Sequence, residues 1–136
     1  MVINKNYMVE QTDISEQMRL ILVDWLVSVH RRFKLLQETL FLCIYIVDKY
    51  LSMTHISRER LQLVGVSALF IAAKYEEIYP PDLAAFANTT ARAYTNSDIL
   101  TMEGSIINAL NFQITVPSPF RFVQWYARLA NLSKKD

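Results

Sequence analysis

One stretch constrains this chain more than any other. From Leu61 to Ala73 (LQLVGVSALFIAA) only Gln62 and Ser67 are polar, so a helix here is apolar on nearly every face. Such a helix either crosses a membrane or sits at the centre of a globular core. Lys74, Glu76 and Glu77 close the run well before the roughly 20 residues a bilayer requires. The core reading follows. At 100° per residue Gly65, Ala68 and Ala72 share one side, where a neighbouring helix axis can approach, while Leu63, Val66, Leu69 and Phe70 fill the others. The expected element is a central helix over Leu61–Tyr79, stopped by Pro80-Pro81 because proline lacks the amide donor and restricts the residue before it.

The 136 residues suffice for one domain with a proper core. Two glycines and four prolines suit long helices and argue against a turn-rich β fold. The longest other apolar run, Leu40–Val47, is closed at once by Asp48 and Lys49, so no membrane association is expected. A formal charge of +1 with no basic cluster gives no electrostatic footprint for nucleic acid. Residues 1–17 lack the apolar segment of a signal peptide. The single cysteine, Cys43, excludes a disulfide within the chain and favours an intracellular location, nucleus or cytoplasm. The fold class is all-α.

Residues 1–14 show too little apolar periodicity for a helix and read as an N-terminal arm. Ser15 is a suitable N-cap, with Glu16 in the first turn, for a helix running to about Leu36. Its main stripe is Met18, Ile21, Leu22, Trp25, Leu26, Val29 and Phe33. A second strip, Leu20, Val23 and Val27, lies opposite. Either this helix is sandwiched, or apolar surface is left over for a partner. A second helix over about Gln37–Met53 carries Leu40, Phe41, Ile44, Val47, Asp48 and Leu51. Ser57 reads as the cap of the central helix, PDLAAFANTT as a short fourth helix, and Asn96 or Ser97 as the cap of a fifth with Ile99, Met102, Ile106 and Leu110 on one face. Gly104 inside that fifth helix costs about 1 kcal/mol against alanine, which predicts close packing there. A sixth helix should open at Pro119, in the favoured first-turn position.

Catalytic patterns are poorly represented. His30 and His55 have no acidic residue at the spacing of a zinc helix, both glycines fall inside helices, and Cys43 has no partnered histidine. Glu76 and Glu77 point about 100° apart on a helix and read as ordinary surface carboxylates. No enzyme, metal or cofactor is indicated.

The motifs MRLILVDWLVSVH, LLQETLFLCIYIVDKYL and RLQLVGVSALFIAAKYEEIYPPD, with the spaced Glu103, resemble a cyclin box of the mitotic A/B type. LLQETL, AAKYEEIYPPD and ALNF followed by PSPFRF are most similar to the B type. The resemblance implies a five-helix cyclin box over residues 15–114, then a linker and the first helix of an incomplete second box over 115–136. It implies a fragment or an unusually short family member. The implied function is a regulatory subunit that binds and activates a cyclin-dependent protein kinase in cell-cycle control and helps recruit its substrates. A cyclin-fold transcription-type module binding DNA is the alternative, and the missing basic face argues against it.

Residue by residue, Lys74 and Glu103 match the pair that contacts the kinase backbone. Ile71, Tyr75, Ile107 and Phe112 match apolar kinase contacts, though each could equally serve the core. Met18, Ile21, Leu22, Trp25, Leu61 and Gln62 match a shallow patch that docks Arg-x-Leu segments of substrates and inhibitors. Ser28 stands where A-type members place a glutamate for the peptide's arginine. Arg19 and Asp48 match an ion pair buried between the first two helices, and a structural role is expected because each sits among apolar residues.

Overall fold

The computed structural model describes residues 11–110, which form five α-helices and one 3₁₀ turn: α1 (Glu16–Phe33), α2 (Gln37–Met53), the 3₁₀ turn (Arg58–Arg60), α3 (Leu61–Glu76), α4 (Leu83–Asn88) and α5 (Asn96–Leu110). Phe112, the expected sixth helix and the 115–136 segment lie outside the described residues.

The apolar segment occupies the centre. α3 packs against α1, α2, α4, α5 and the 3₁₀ turn, and every residue from Leu63 to Ala73 is buried. At Gly65 α1 packs closely: a Cβ there would stand 2.7 Å from Leu22 Cδ1, so a larger residue would force the Leu22 side chain to shift. At the far side Phe86 of α4, fully buried, meets Phe33 and Phe70 edge to face, with ring centroids 5.2 and 5.6 Å apart.

α1 opens as its capping box dictates. Ser15 Oγ accepts from the Met18 amide and the Ser15 amide reaches Met18 Sδ. It ends at Phe33 rather than Leu36, because Lys34 turns into the left-handed region (φ 55°) and closes the last carbonyls with its own amide. Leu22, Leu26 and Val29 are buried, whereas Leu20 is 57 % and Ile21 63 % exposed. The second strip of α1 is therefore not sandwiched among the described residues.

Several boundaries differ from expectation for local reasons. In α2 Val47 and Leu51 of the expected stripe are buried, but so are Thr39, Leu42, Cys43, Ile46 and Tyr50, while Leu40, Phe41 and Ile44 are only half-buried. That helix is apolar all round from Leu40 to Val47, so periodicity alone cannot choose its inner face. Ser57 leads the 3₁₀ turn, its carbonyl accepting from Arg60, instead of capping α3 with its side chain. The fourth helix shortens to Leu83–Asn88, its cap being Asp82, whose carboxylate accepts from the Ala85 amide. α5 is capped by Thr95 rather than by Asn96 or Ser97: Thr95 Oγ1 accepts from the Asp98 amide, and Asp98 Oδ2 from the Thr95 amide. The expected close packing at Gly104 is absent among the described residues, where no neighbour lies within 4 Å of a Cβ built there.

The segment before α1 is fastened to the α2–α3 connection. Gln11 donates to the carbonyls of Leu51 and Thr54 and accepts from the Ile56 amide, and Ile14 is buried.

Candidate functional site

α3 ends at Glu76, three residues short of Tyr79, and the cause is Glu77. Its backbone is extended (φ −91°, ψ 141°), which turns its carboxylate to the start of α2. There Oε2 accepts from the Leu36 amide at 2.7 Å and from the buried Thr39 hydroxyl. Leu36, the N-cap of α2, contributes no side-chain cap, and Glu77, just past the end of α3, supplies to the Leu36 amide the acceptor that a Glu or Gln at the third helical position provides in a capping box. Glu77 is thus no idle surface carboxylate. Beyond it the chain leaves the core, with Ile78 85 % and Tyr79 92 % exposed.

Glu76 is equally unlike a solvated residue. Burial raises its pKa above the ordinary value, and the negative charges of Glu38 and Glu77 push in the same direction. Its Oε2 is buried without a hydrogen-bond partner among the described residues. Burial likewise raises the Tyr75 phenol, with a smaller contribution from Glu76.

One turn earlier, Lys74 leaves the last turn of α3 and bonds the Glu103 carboxylate of α5. The lysine side chain is 45 % exposed and the glutamate 12 %, so the pair forms a rim with the ammonium outward. The Lys74 Nζ lies 4.3 Å from the centroid of the Phe70 ring, so a cation–π contact and an ion pair both fix the cation. Around the pair are half-buried Tyr75 and Ile107, half-exposed Leu100 and open Gly104. Ile71, by contrast, is 4 % exposed and belongs to the core.

A second feature lies between α1 and the start of α3. Met18, Ile21, Leu22, Trp25, Leu61 and Gln62, the whole apolar patch expected from sequence, line one groove of ≈ 410 Å³. Ser28 is exposed and is not among the lining residues. Arg58, which sequence reasoning passed over, does line it. The signal available was its place one turn before Leu61 and Gln62, but the 3₁₀ turn between them hides that register.

Arg19 and Asp48 meet between α1 and α2 in a two-point pair, with side chains 20 % and 17 % exposed. Cys43 is wholly buried, and burial drives its thiol pKa far above the ordinary value, which makes it unreactive. Among the described residues no cluster of three or more His, Cys, Asp or Glu is placed to hold a metal, and no helix is long and apolar enough to cross a membrane.

The model of the family described as "Cyclin, N-terminal domain" matches residues 1–115. The chain belongs to the cyclin family. Cyclin-B2-2 of Oryza sativa subsp. indica is 45 % identical over 98 % of this chain and 32 % of its own length. The G2/mitotic-specific cyclin S13-7 of Glycine max is 47 % identical over 92 % of this chain and 49 % of its own. The G2/mitotic-specific cyclin-B2 of Oryzias luzonensis is 46 % identical over 94 % and 33 %. This cyclin-family chain spans about a quarter to a half of the length of the curated relatives it matches. Its fold is also that of a viral cyclin from herpesvirus saimiri, with a TM-score of 0.74 at 23 % identity, over 82 % of this chain and 49 % of that one.

Proposed function

We propose that this chain acts as a regulatory subunit of a cyclin-dependent protein kinase, working inside the cell and performing no catalysis of its own. The observation that carries this reading is the Lys74–Glu103 rim. A fixed ammonium and carboxylate offer donors and an acceptor to a partner's backbone, with exposed Ile78, Tyr79 and Leu100 as apolar surface on the same chain. An exposed ion pair contributes only about 0–1 kcal/mol by itself, so the apolar surroundings supply most of the affinity and the pair supplies register. The subunit activates by binding the active arrangement of the kinase better than the inactive one. The mitotic cyclins among the relatives support this assignment.

The groove beside Trp25 is the second working surface. It takes the leucine of a short Arg-x-Leu-type segment from a substrate or inhibitor, against a lining that includes Leu22, Trp25 and Leu61. Arg19 and Asp48 keep α1 and α2 in register.

The test is reconstitution. Phosphate transfer to a protein substrate is measured with the kinase alone, this chain alone and the two together. Activity only in the mixture is expected. Activity in the chain alone, or no rise in the mixture, contradicts the proposal.

A further inference from the structure

We propose that Gly104 determines which kinase the Lys74–Glu103 rim accepts: the notch left on α5 by its missing side chain takes one large apolar side chain of the partner. The inference rests on the regulatory reading above and adds to it the chemistry of the partner surface.

A glycine inside a helix gives up more backbone entropy on folding than any other residue. That loss is offset where a neighbour needs the space. Gly65 is such a case, because Leu22 of α1 stands against it. Gly104 is not. It lies in the middle of α5, is exposed, and has no neighbour among the described residues within 4 Å of a Cβ built there. Alanine would suit the free chain better, so the space serves contact with a partner.

The surroundings define what fits. Leu100, Gly104 and Ile107 share a sector of about 60° on α5, away from the buried face of Ile99, Met102, Ile106 and Leu110. Leu100 is half-exposed and Ile107 half-buried. At 1.5 Å per residue they stand about 10 Å apart along the axis, which leaves room for one Leu, Ile or Phe side chain between apolar walls. Glu103 lines the same groove, so the notch is continuous with the rim. It is the one charged residue among the described residues lining that groove, and Lys74 engages it. On the other flank Ser105 Oγ turns back to the Thr101 carbonyl at 3.2 Å. An apolar occupant is therefore matched, whereas a charged one meets no unengaged countercharge. A methyl group at position 104 would overpack the notch against the incoming side chain.

The test titrates the cyclin-dependent kinase of the reconstitution above with the wild-type chain, Gly104→Ala, Gly104→Leu and Lys74→Ala, and records a thermal melt of each chain alone. Gly104→Ala should melt about 2–5 °C above wild type yet bind the kinase about fivefold more weakly. Gly104→Leu should melt no lower than wild type and bind about a hundredfold more weakly. Since both substitutions strengthen the helix, weaker binding cannot be put down to unfolding. The titrations are then repeated with each exposed Leu, Ile and Phe of the kinase cut to alanine in turn. At one of these positions the penalty of Gly104→Ala should disappear. Wild-type affinity in both Gly104 variants overturns the proposal, as does a scan with no such position. A lowered melt of Gly104→Ala also overturns it, because a neighbour within the chain then occupies the space. If Lys74→Ala alone binds weakly, only this inference fails; if the wild type does not bind, the regulatory reading fails with it.

Discussion

Arg19 of α1 and Asp48 of α2 meet edge to edge, Nε to Oδ1 at 2.8 Å and Nη2 to Oδ2 at 2.7 Å, each side chain mostly shielded from water. A planar guanidinium bonded in parallel to both carboxylate oxygens fixes distance and orientation together. Removing one partner leaves the other charge poorly solvated among apolar helices. Asp48→Ala should therefore lower stability by about 2–4 kcal/mol in chemical denaturation, just below the about 3–5 kcal/mol scale of a fully buried pair. A loss under about 1 kcal/mol, as for an exposed pair, would show that Asp48 is solvated.

Glu77 works at a similar distance in sequence. Its carboxylate serves the Leu36 amide and the Thr39 hydroxyl across the fold, so it caps a helix to which it does not belong. Glu77→Ala should cost about 1–2 kcal/mol, the scale of a lost N-cap, and Thr39→Val in the same background should add little. Full additivity of the two losses would show that the contacts are independent and the cap unimportant.

Glu76 should give stability an unusual slope with pH. Its folded pKa is raised, so the folded state binds a proton more readily than the unfolded one. Stability then falls as pH rises from the ordinary glutamate value near 4.5 through the raised value. Glu76→Gln should stabilise the chain at pH 7, by less than about 1 kcal/mol given partial exposure, and the gain should vanish at pH 4. Thermal melts at both pH values check this. A variant that is less stable at pH 7 would mean the ionised carboxylate is favourably held.

Gly104 offers a test of opposite sign from the one its sequence suggests. With no neighbour among the described residues within 4 Å of a Cβ, alanine should raise stability by about 0.5–1 kcal/mol. A destabilised Gly104→Ala would require a neighbour at this position.

These cases separate what was legible in the sequence from what was not. The all-α cage could be read because Leu61–Ala73 is too apolar to stand at a surface and too short to span a bilayer. The start of α1 could be read because the Ser15 cap acts within three residues. The groove's apolar lining followed from family motifs, and the structure brings all six residues together. Glu77 could not be read, because its partners are 41 and 38 residues away and nothing local marks it. Arg58 escaped for a similar reason: its place depends on a 3₁₀ turn and on Asp13, 45 residues earlier. The inner face of α2 escaped because an all-apolar run carries no phase.

The regulatory account stands most directly on the Lys74–Glu103 rim. The deciding measurement is the affinity of the wild-type chain, Lys74→Ala and Glu103→Ala for a cyclin-dependent kinase, read by titration alongside circular dichroism melts. Each variant should bind at least about tenfold more weakly, equivalent to 1.4 kcal/mol, with a melting temperature close to wild type. Undiminished affinity in both folded variants would contradict the account.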